Sequence, residues 1–215
     1  MNSADLRARI LDEAKKTPAP TRAEHQKRVA IVVLLGTLAT TALFFAMGGF
    51  ARGARPIELV AFNAGFAIFS AIVLTRLTRP RTSSPLPAPR SILVTMCVIA
   101  APVLALSVLC ATMMWPDTPP EDVATKSHVA CAVMTVVQGA LPLIVLLVPL
   151  RGSDPVHPMI SGAALGMTAG AWTAGMAYLR CPHAAALHCI LAHVVPTLVL
   201  TAIGALLGRM FLRLR

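Results

Sequence analysis

The stretch Pro158–Leu179 reads PMISGAALGMTAGAWTAGMAYL and contains no charged side chain over 22 residues. A helix needs roughly 20 predominantly apolar residues to cross the hydrocarbon core of a bilayer, so this stretch predicts a membrane-spanning helix. Five further apolar runs of similar length flank it along the chain. They are Val29–Phe50, Ile57–Leu77, Ser91–Trp115, Val129–Leu150 and Leu187–Gly208. The sequence therefore predicts an all-α, polytopic membrane protein with six transmembrane helices.

The composition of the chain supports a membrane protein. Of the 215 residues, 56% are hydrophobic and only 13% are charged, and the mean hydropathy is +0.73. Soluble domains carry about 45–50% apolar and about 25% charged residues. A soluble globular domain and a disordered chain are both excluded by this balance.

The basic residues predict the orientation of the six spans. If the N-terminus is cytoplasmic, fifteen of the 19 lysines and arginines lie on that side and four on the other. Basic residues in short loops concentrate on the cytoplasmic side, so both termini are predicted to be cytoplasmic. The predicted parts are a cytoplasmic leader at residues 1–28, a six-helix bundle at residues 29–208 and a cytoplasmic tail at residues 209–215. The predicted location is the bacterial inner membrane.

Small residues recur every four positions in the fifth span and again in the sixth. Those of the fifth span are Gly162, Gly166, Gly170 and Ala174. Gly204 and Gly208 repeat the spacing in the sixth. Such ridges let helix backbones approach closely in a membrane. The ridge predicts either packing within one chain, which is the plainer interpretation, or a contact between two copies.

The sequence lacks the motifs of the common enzyme classes. It has no Gly-rich phosphate loop, no HExxH helix and no GxSxG elbow. The spans also lack the series of buried acids and lysines that ion-coupled transporters use. We therefore expect no enzyme activity and no required cofactor. We expect no direct nucleic-acid binding either, because most basic residues flank the membrane and no reader fold is recognisable.

Cysteine and histidine residues concentrate at the predicted outer ends of the last three spans. They are Cys131, Cys181, Cys189, His128, His183 and His188. Thiols and imidazoles suit Zn²⁺ and other soft or borderline divalent ions, and the predicted ligands are Cys131, Cys181, His128, His183 and Cys189. An oxidising outer compartment also permits a disulfide between Cys131 and Cys181. Buried cysteines that only fill space remain the alternative.

The leader contains one short amphipathic segment. Leu6, Ile10 and Leu11 form an apolar stripe among charged residues, and Pro18 ends the pattern. A helix of about 13 residues is marginal alone in water, so it needs a groove on a partner or a bilayer surface. Its acidic residues and lack of aromatic residues favour a protein partner.

The six spans, with a Gly-rich fifth span, occur together with three distinctive stretches. They are the leader Ala4–Leu11, the junction Tyr178-Leu179-Arg180-Cys181-Pro182 and the C-terminal Ile203–Arg209. In these features nearly the whole chain resembles the NrsF-like family of six-helix membrane anti-sigma factors. The resemblance implies that the leader binds a sigma factor of the extracytoplasmic-function (ECF) type, and the apolar stripe of Leu6, Ile10 and Leu11 is the face that we expect to make the contact. It also implies that a periplasmic metal or oxidant acts on two outward cysteines, whose positions Cys131 and Cys181 match.

The chain departs from this family pattern in the sixth span. The aromatic pair that members often carry there is absent, and His193 lies near its place.

The alternative function is a small metal or solute permease with an outer Cys/His entry site.

Overall fold

Helices form all the regular structure in the described part of the computed structural model. That part comprises residues 12, 22–49, 57, 58, 60–62, 64, 65, 69, 125–151, 157–181, 183 and 185–213. The helices are α1 (Arg22–Ala46), α2 (Thr125–Leu147), α3 (Pro158–Arg180), α4 (Ala186–Cys189) and α5 (Val195–Phe211). A 3-10 turn, Val148–Leu150, extends α2, and a π-helical turn, Ile190–Val194, joins α4 to α5. The all-α prediction is confirmed for these residues.

Two continuous helical rods within the described residues are long and apolar enough to cross a membrane. They are Lys126–Leu150 and Ala186–Phe211, which cover the predicted spans Val129–Leu150 and Leu187–Gly208. Helix α3 matches the predicted span Pro158–Leu179 in position, but its many Gly, Ala and Thr residues make it less apolar. The predicted span Ser91–Trp115 lies outside the described residues, as does most of Ile57–Leu77.

Helix α1 differs from its predicted bounds at both ends. It begins at Arg22, within the predicted leader, and ends at Ala46 instead of Phe50. Gly48 and Gly49 follow with φ angles of +110° and +63°, which L side chains rarely adopt. The backbone therefore turns out of the helix at the glycine pair, before the apolar run is complete.

Helices α3 and α5 form the most extensive helix pair of the described residues, and glycines line their contact. A Cβ atom placed on Gly162 would lie 2.6 Å from Cα of Gly208, and one placed on Gly204 would lie 2.8 Å from Cα of Gly166. Side chains cannot fit between backbones this close. The small residues of the predicted ridge therefore pack α3 against α5 within one chain, which is the plainer of the two interpretations of the sequence.

The described core lies where α2 meets the α3–α5 pair. Leu143 of α2, Leu165 of α3 and Leu200 of α5 are each 1% exposed and pack in one cluster. Helix α1 packs against the other side of α2, where a Cβ on Gly36 would lie 2.9 Å from Cβ of Val145. The order of packing is therefore α1, then α2, then the α3–α5 pair.

The π-helical turn has a chemical cause in Pro196. Proline has no N–H group, and its ring clashes with the carbonyl group four residues earlier, here that of Ala192. The hydroxyl group of Thr135 in α2 lies 3.0 Å from that carbonyl oxygen and 2.8 Å from the carbonyl oxygen of Cys131. Polar side chains of neighbouring helices commonly satisfy backbone groups that proline frees. Thr135 thereby ties the turn to the same part of α2 that carries Cys131.

Candidate thiol and histidine site

Two thiols and one imidazole come together at one end of the described bundle. Cys131 lies in the second turn of α2, Cys181 directly follows α3, and His188 belongs to α4. The two Sγ atoms and a ring nitrogen of His188 all lie within 4.8 Å of one another. We call Cys131, Cys181 and His188 the thiol–imidazole cluster.

The end of α3 places Cys181 in the cluster. Cys181 has φ −70° and ψ 127°, an extended conformation, and its backbone N–H donates to the carbonyl oxygen of Ala177 at 2.7 Å. The residue before a proline is disfavoured in the helical region, and Pro182 follows Cys181 in the sequence. The Cys-Pro pair therefore ends the helix and directs the chain towards α4.

A line of short contacts runs through the imidazole of His188. Its Nε2 atom lies 3.1 Å from Sγ of Cys181, and its Nδ1 atom lies 3.0 Å from Nδ1 of His128 in α2. A neutral imidazole has one N–H donor and one acceptor nitrogen. When His188 carries its proton on Nδ1, it donates to His128 and leaves the Nε2 lone pair facing the thiol.

His188 is also the centre of a histidine cluster. Its ring centroid lies 5.0 Å from those of His128 and His183 and 5.6 Å from that of His193. His188 is fully buried and Cys181 is 5% exposed, whereas Cys131 is half-buried. A ligand from outside the protein therefore meets Cys131 first.

The remaining predicted ligands lie near the cluster in different roles. His128 contacts His188, while the backbone carbonyl oxygen of His183 lies 3.8 Å from Sγ of Cys181. Cys189 is buried in another small cluster with Ala64 and Ala174. The three described cysteines, Cys131, Cys181 and Cys189, form no disulfide bond in the structure.

The structure adds one residue that the sequence-based ligand set omits, His188. It lies seven residues after Cys181, but Cys181 follows the end of α3 and His188 belongs to α4. Helical spacing rules do not relate residues of two separate helices. The only sequence signal is its place beside Cys189 in the group of outer histidines. The predicted partner-binding residues Leu6, Ile10 and Leu11 lie outside the described residues.

Comparison with known proteins gives one family. No curated protein and no solved structure matches the chain. The sequence model of the family NrsF, negative regulator of sigma F, matches residues 14–214. The match includes the whole thiol–imidazole cluster and begins after the apolar stripe of the leader. A family of regulators also agrees with the lack of enzyme motifs in the sequence. The chain therefore belongs to the NrsF family of negative regulators of sigma F.

Proposed function

We propose that this protein is a multi-pass inner-membrane anti-sigma factor that sequesters an ECF sigma factor and releases it on a periplasmic metal or oxidant signal. The family assignment supplies the sigma factor as the partner. The observation that supports a metal or oxidant signal is the distance between Cys131, in α2, and Cys181, directly after α3, whose Sγ atoms lie within 4.8 Å of each other. A bond or a shared ion at this point would join α2 to the end of α3.

Exposed apolar faces support the location in a membrane. Val129, Val133 and Val137 follow one another every four residues on α2 and are 58%, 54% and 56% exposed. Leu34 and Leu38 of α1 are similarly exposed. Soluble monomers rarely expose contiguous apolar surface of this kind, whereas lipid chains cover it without cost. In the predicted six-span topology, with both termini in the cytoplasm, lipid chains would cover these exposed apolar faces.

The same topology supports an outward position for the thiol–imidazole cluster. The cluster joins the beginning of α2 to the end of α3, and both ends face the periplasm when the N-terminus is cytoplasmic. Metals and oxidants from outside the cell would reach the half-buried Cys131 there.

Residues 1–28 are proposed to hold the sigma factor on the cytoplasmic side. The stripe of Leu6, Ile10 and Leu11 would cover an apolar surface of the sigma factor and keep it from RNA polymerase. Helix α1 begins at Arg22, inside this segment, and continues to Ala46. It is therefore a direct covalent link between the sigma-binding segment and the bundle.

The packing order suggests how a signal crosses the protein. The glycine contact locks α3 and α5 together, so a change at the cluster would move α2 relative to that pair. Helix α1 packs on α2 and would follow it. An oxidant would take two electrons and two protons from Cys131 and Cys181 to form a disulfide, and a metal ion would displace the two thiol protons. Release requires that the signal favours one of two bundle arrangements.

Co-purification tests the sigma-binding segment. The double variant Leu6→Asp, Ile10→Asp places charges on the apolar stripe, so the solubilised protein should no longer retain its sigma factor. Asp12→Ala is the matched control, because Asp12 is exposed on the same segment. Equal recovery of the sigma factor by the double variant and the control would contradict the proposed role of the leader.

A sigma-dependent reporter tests the thiols. The variant Cys131→Ser, Cys181→Ser should no longer respond to metal or oxidant, whereas the control Cys189→Ser should respond normally because Cys189 packs elsewhere. A normal response from the double variant would show that its thiols are structural only.

A further inference from the structure

We infer that the thiol–imidazole cluster is a three-coordinate protein site for a thiophilic divalent cation, in which His188 is the third ligand and His128 holds His188 in the ligating tautomer. The inference rests on the proposed function only for the outward position of the cluster. It adds His188 to the two thiols and narrows the signal to a cation of the Zn²⁺ and Cd²⁺ type.

The distances within the cluster suit a small tetrahedral ion. Zinc binds thiolates at about 2.3 Å and imidazole nitrogen at about 2.0–2.1 Å, so tetrahedral ligand atoms lie roughly 3.5–3.8 Å apart. The three candidate atoms lie within 4.8 Å of one another, and Nε2 of His188 is 3.1 Å from Sγ of Cys181. Adjustments of about 1 Å therefore bring all three to ligating distance.

The donor set selects the class of ion. Two thiolates and one imidazole favour soft and borderline ions over Mg²⁺ and Ca²⁺, which prefer oxygen ligands. Three protein ligands leave a fourth position for water, as in open zinc sites. Binding of the cation requires no redox partner, because the cation replaces the two thiol protons, which pass to the solvent.

His128 acts as a positioning residue. Imidazole ligands of metals usually donate their second N–H to a neighbouring acceptor, which fixes the tautomer and the orientation of the ring. Nδ1 of His188 lies 3.0 Å from Nδ1 of His128, which can accept that hydrogen bond when its own proton is on Nε2. His128 also lies on α2, one turn before Cys131. The ligand His188 thus belongs to α4, and its support His128 belongs to α2, the helix that also carries Cys131.

Cys189 and His183 lie outside the group of described ligand atoms that are within 4.8 Å of one another. Cys189 packs with Ala64 and Ala174. The backbone carbonyl oxygen of His183 lies 3.8 Å from Sγ of Cys181, and its ring packs edge-on against the ring of His188. These residues supply matched controls of the same residue types.

The test measures binding of Zn²⁺, Cd²⁺ and Co²⁺ alone to the full chain in detergent micelles, with chelator competition for affinity. We expect one ion per chain and, for Co²⁺, thiolate charge-transfer absorption with the intense visible bands of a tetrahedral site. Cys131→Ser, Cys181→Ser and His188→Gln should each weaken binding by more than 100-fold, exceeding the roughly 10–100-fold effect of outer-shell changes. Cys189→Ser should bind like the unaltered chain.

Two further variants separate ligation from folding. His188→Cys replaces the imidazole with a thiolate and should recover affinity that His188→Gln loses. His128→Leu should weaken binding about 10–100-fold, and His128→Asn, which retains an acceptor near the same place, should bind more tightly than His128→Leu. If His188→Cys binds no more tightly than His188→Gln, or if His188→Gln binds as tightly as the unaltered chain, the assignment of His188 as a ligand is overturned.

The results also separate this inference from the proposed function. A chain that retains its sigma factor but binds none of the three ions overturns the metal site and leaves anti-sigma activity intact. A chain that binds an ion with the expected variant pattern but retains no sigma factor supports the site and contradicts the proposed function.

Discussion

The substitution Gly204→Ala tests the glycine contact that locks α3 to α5. The added Cβ atom would lie 2.8 Å from both Cα and N of Gly166 and closer still to the carbonyl oxygen of Gly162. All three are backbone atoms, so no side-chain rotation can relieve the overlap. The two helices must therefore move apart, or one must shift along the other.

The cost follows from the distances. Carbon atoms make their best contacts at about 3.5–4.0 Å, so the backbones must separate by about 1 Å. A gap of that size forfeits about a quarter to a half of the attraction between atoms along the contact. Overpacking of this kind typically costs about 1–3 kcal/mol, so Gly204→Ala should lower the free energy of unfolding by that amount.

Reversible unfolding of the purified protein in mixed micelles, followed by circular dichroism, measures this change. Gly65→Ala is the matched control, because no described atom lies within 4 Å of a Cβ placed there. The control should gain up to about 1 kcal/mol from the higher helix propensity of alanine. Equal unfolding free energies for the two variants would refute the close backbone contact between α3 and α5.

Three further predictions concern the tie at the π-helical turn, the core and the topology. Thr135→Val removes the hydroxyl group that meets the Ala192 carbonyl oxygen at 3.0 Å, so the unfolding free energy in the same micelles should fall by about 1 kcal/mol; an unchanged value would show that the hydrogen bond adds nothing. Leu165 is 1% exposed, so Leu165→Ala should lower the free energy of unfolding by about 2–5 kcal/mol. The loss should lie near the lower end of that range, because in a membrane the exposed state of the side chain is in contact with lipid instead of water. A smaller loss would contradict the tight core. Reporter enzymes fused after Arg28 and after Cys181 should report opposite sides of the membrane, and a shared side would refute the six-span topology.

The helical class and the approximate positions of three helices could be predicted from local sequence. Long apolar runs, such as Val129–Leu150, set helix length because the backbone in an apolar environment must satisfy its own hydrogen bonds. The Cys181-Pro182 pair likewise predicts the end of α3, since the restriction before proline is local. The start of α1 at Arg22 was missed because polar residues extend a helix without adding to the apolar run.

The candidate site was predicted only in part. The predicted outer position and the family resemblance both suggest Cys131 and Cys181 as a pair, and the structure brings their sulfur atoms within 4.8 Å. The role of His188 depends on contacts with His128, which lies 60 residues earlier in the chain. Residues this far apart in the chain show no regular spacing in the sequence that would reveal their contact. The type of residue and the predicted side of the membrane are the sequence signals that point to His188.

The helical class, the small-residue ridge and the set of thiols and imidazoles can therefore be read from the amino-acid sequence, because each depends on residue type and on near neighbours along the chain. The packing of Gly162 and Gly166 against Gly204 and Gly208 of the same chain becomes visible only in the folded protein. The tertiary structure also decides which thiols and which imidazole meet. Both outcomes depend on how separate helices pack, and packing is set by the shapes of whole helix faces in three dimensions.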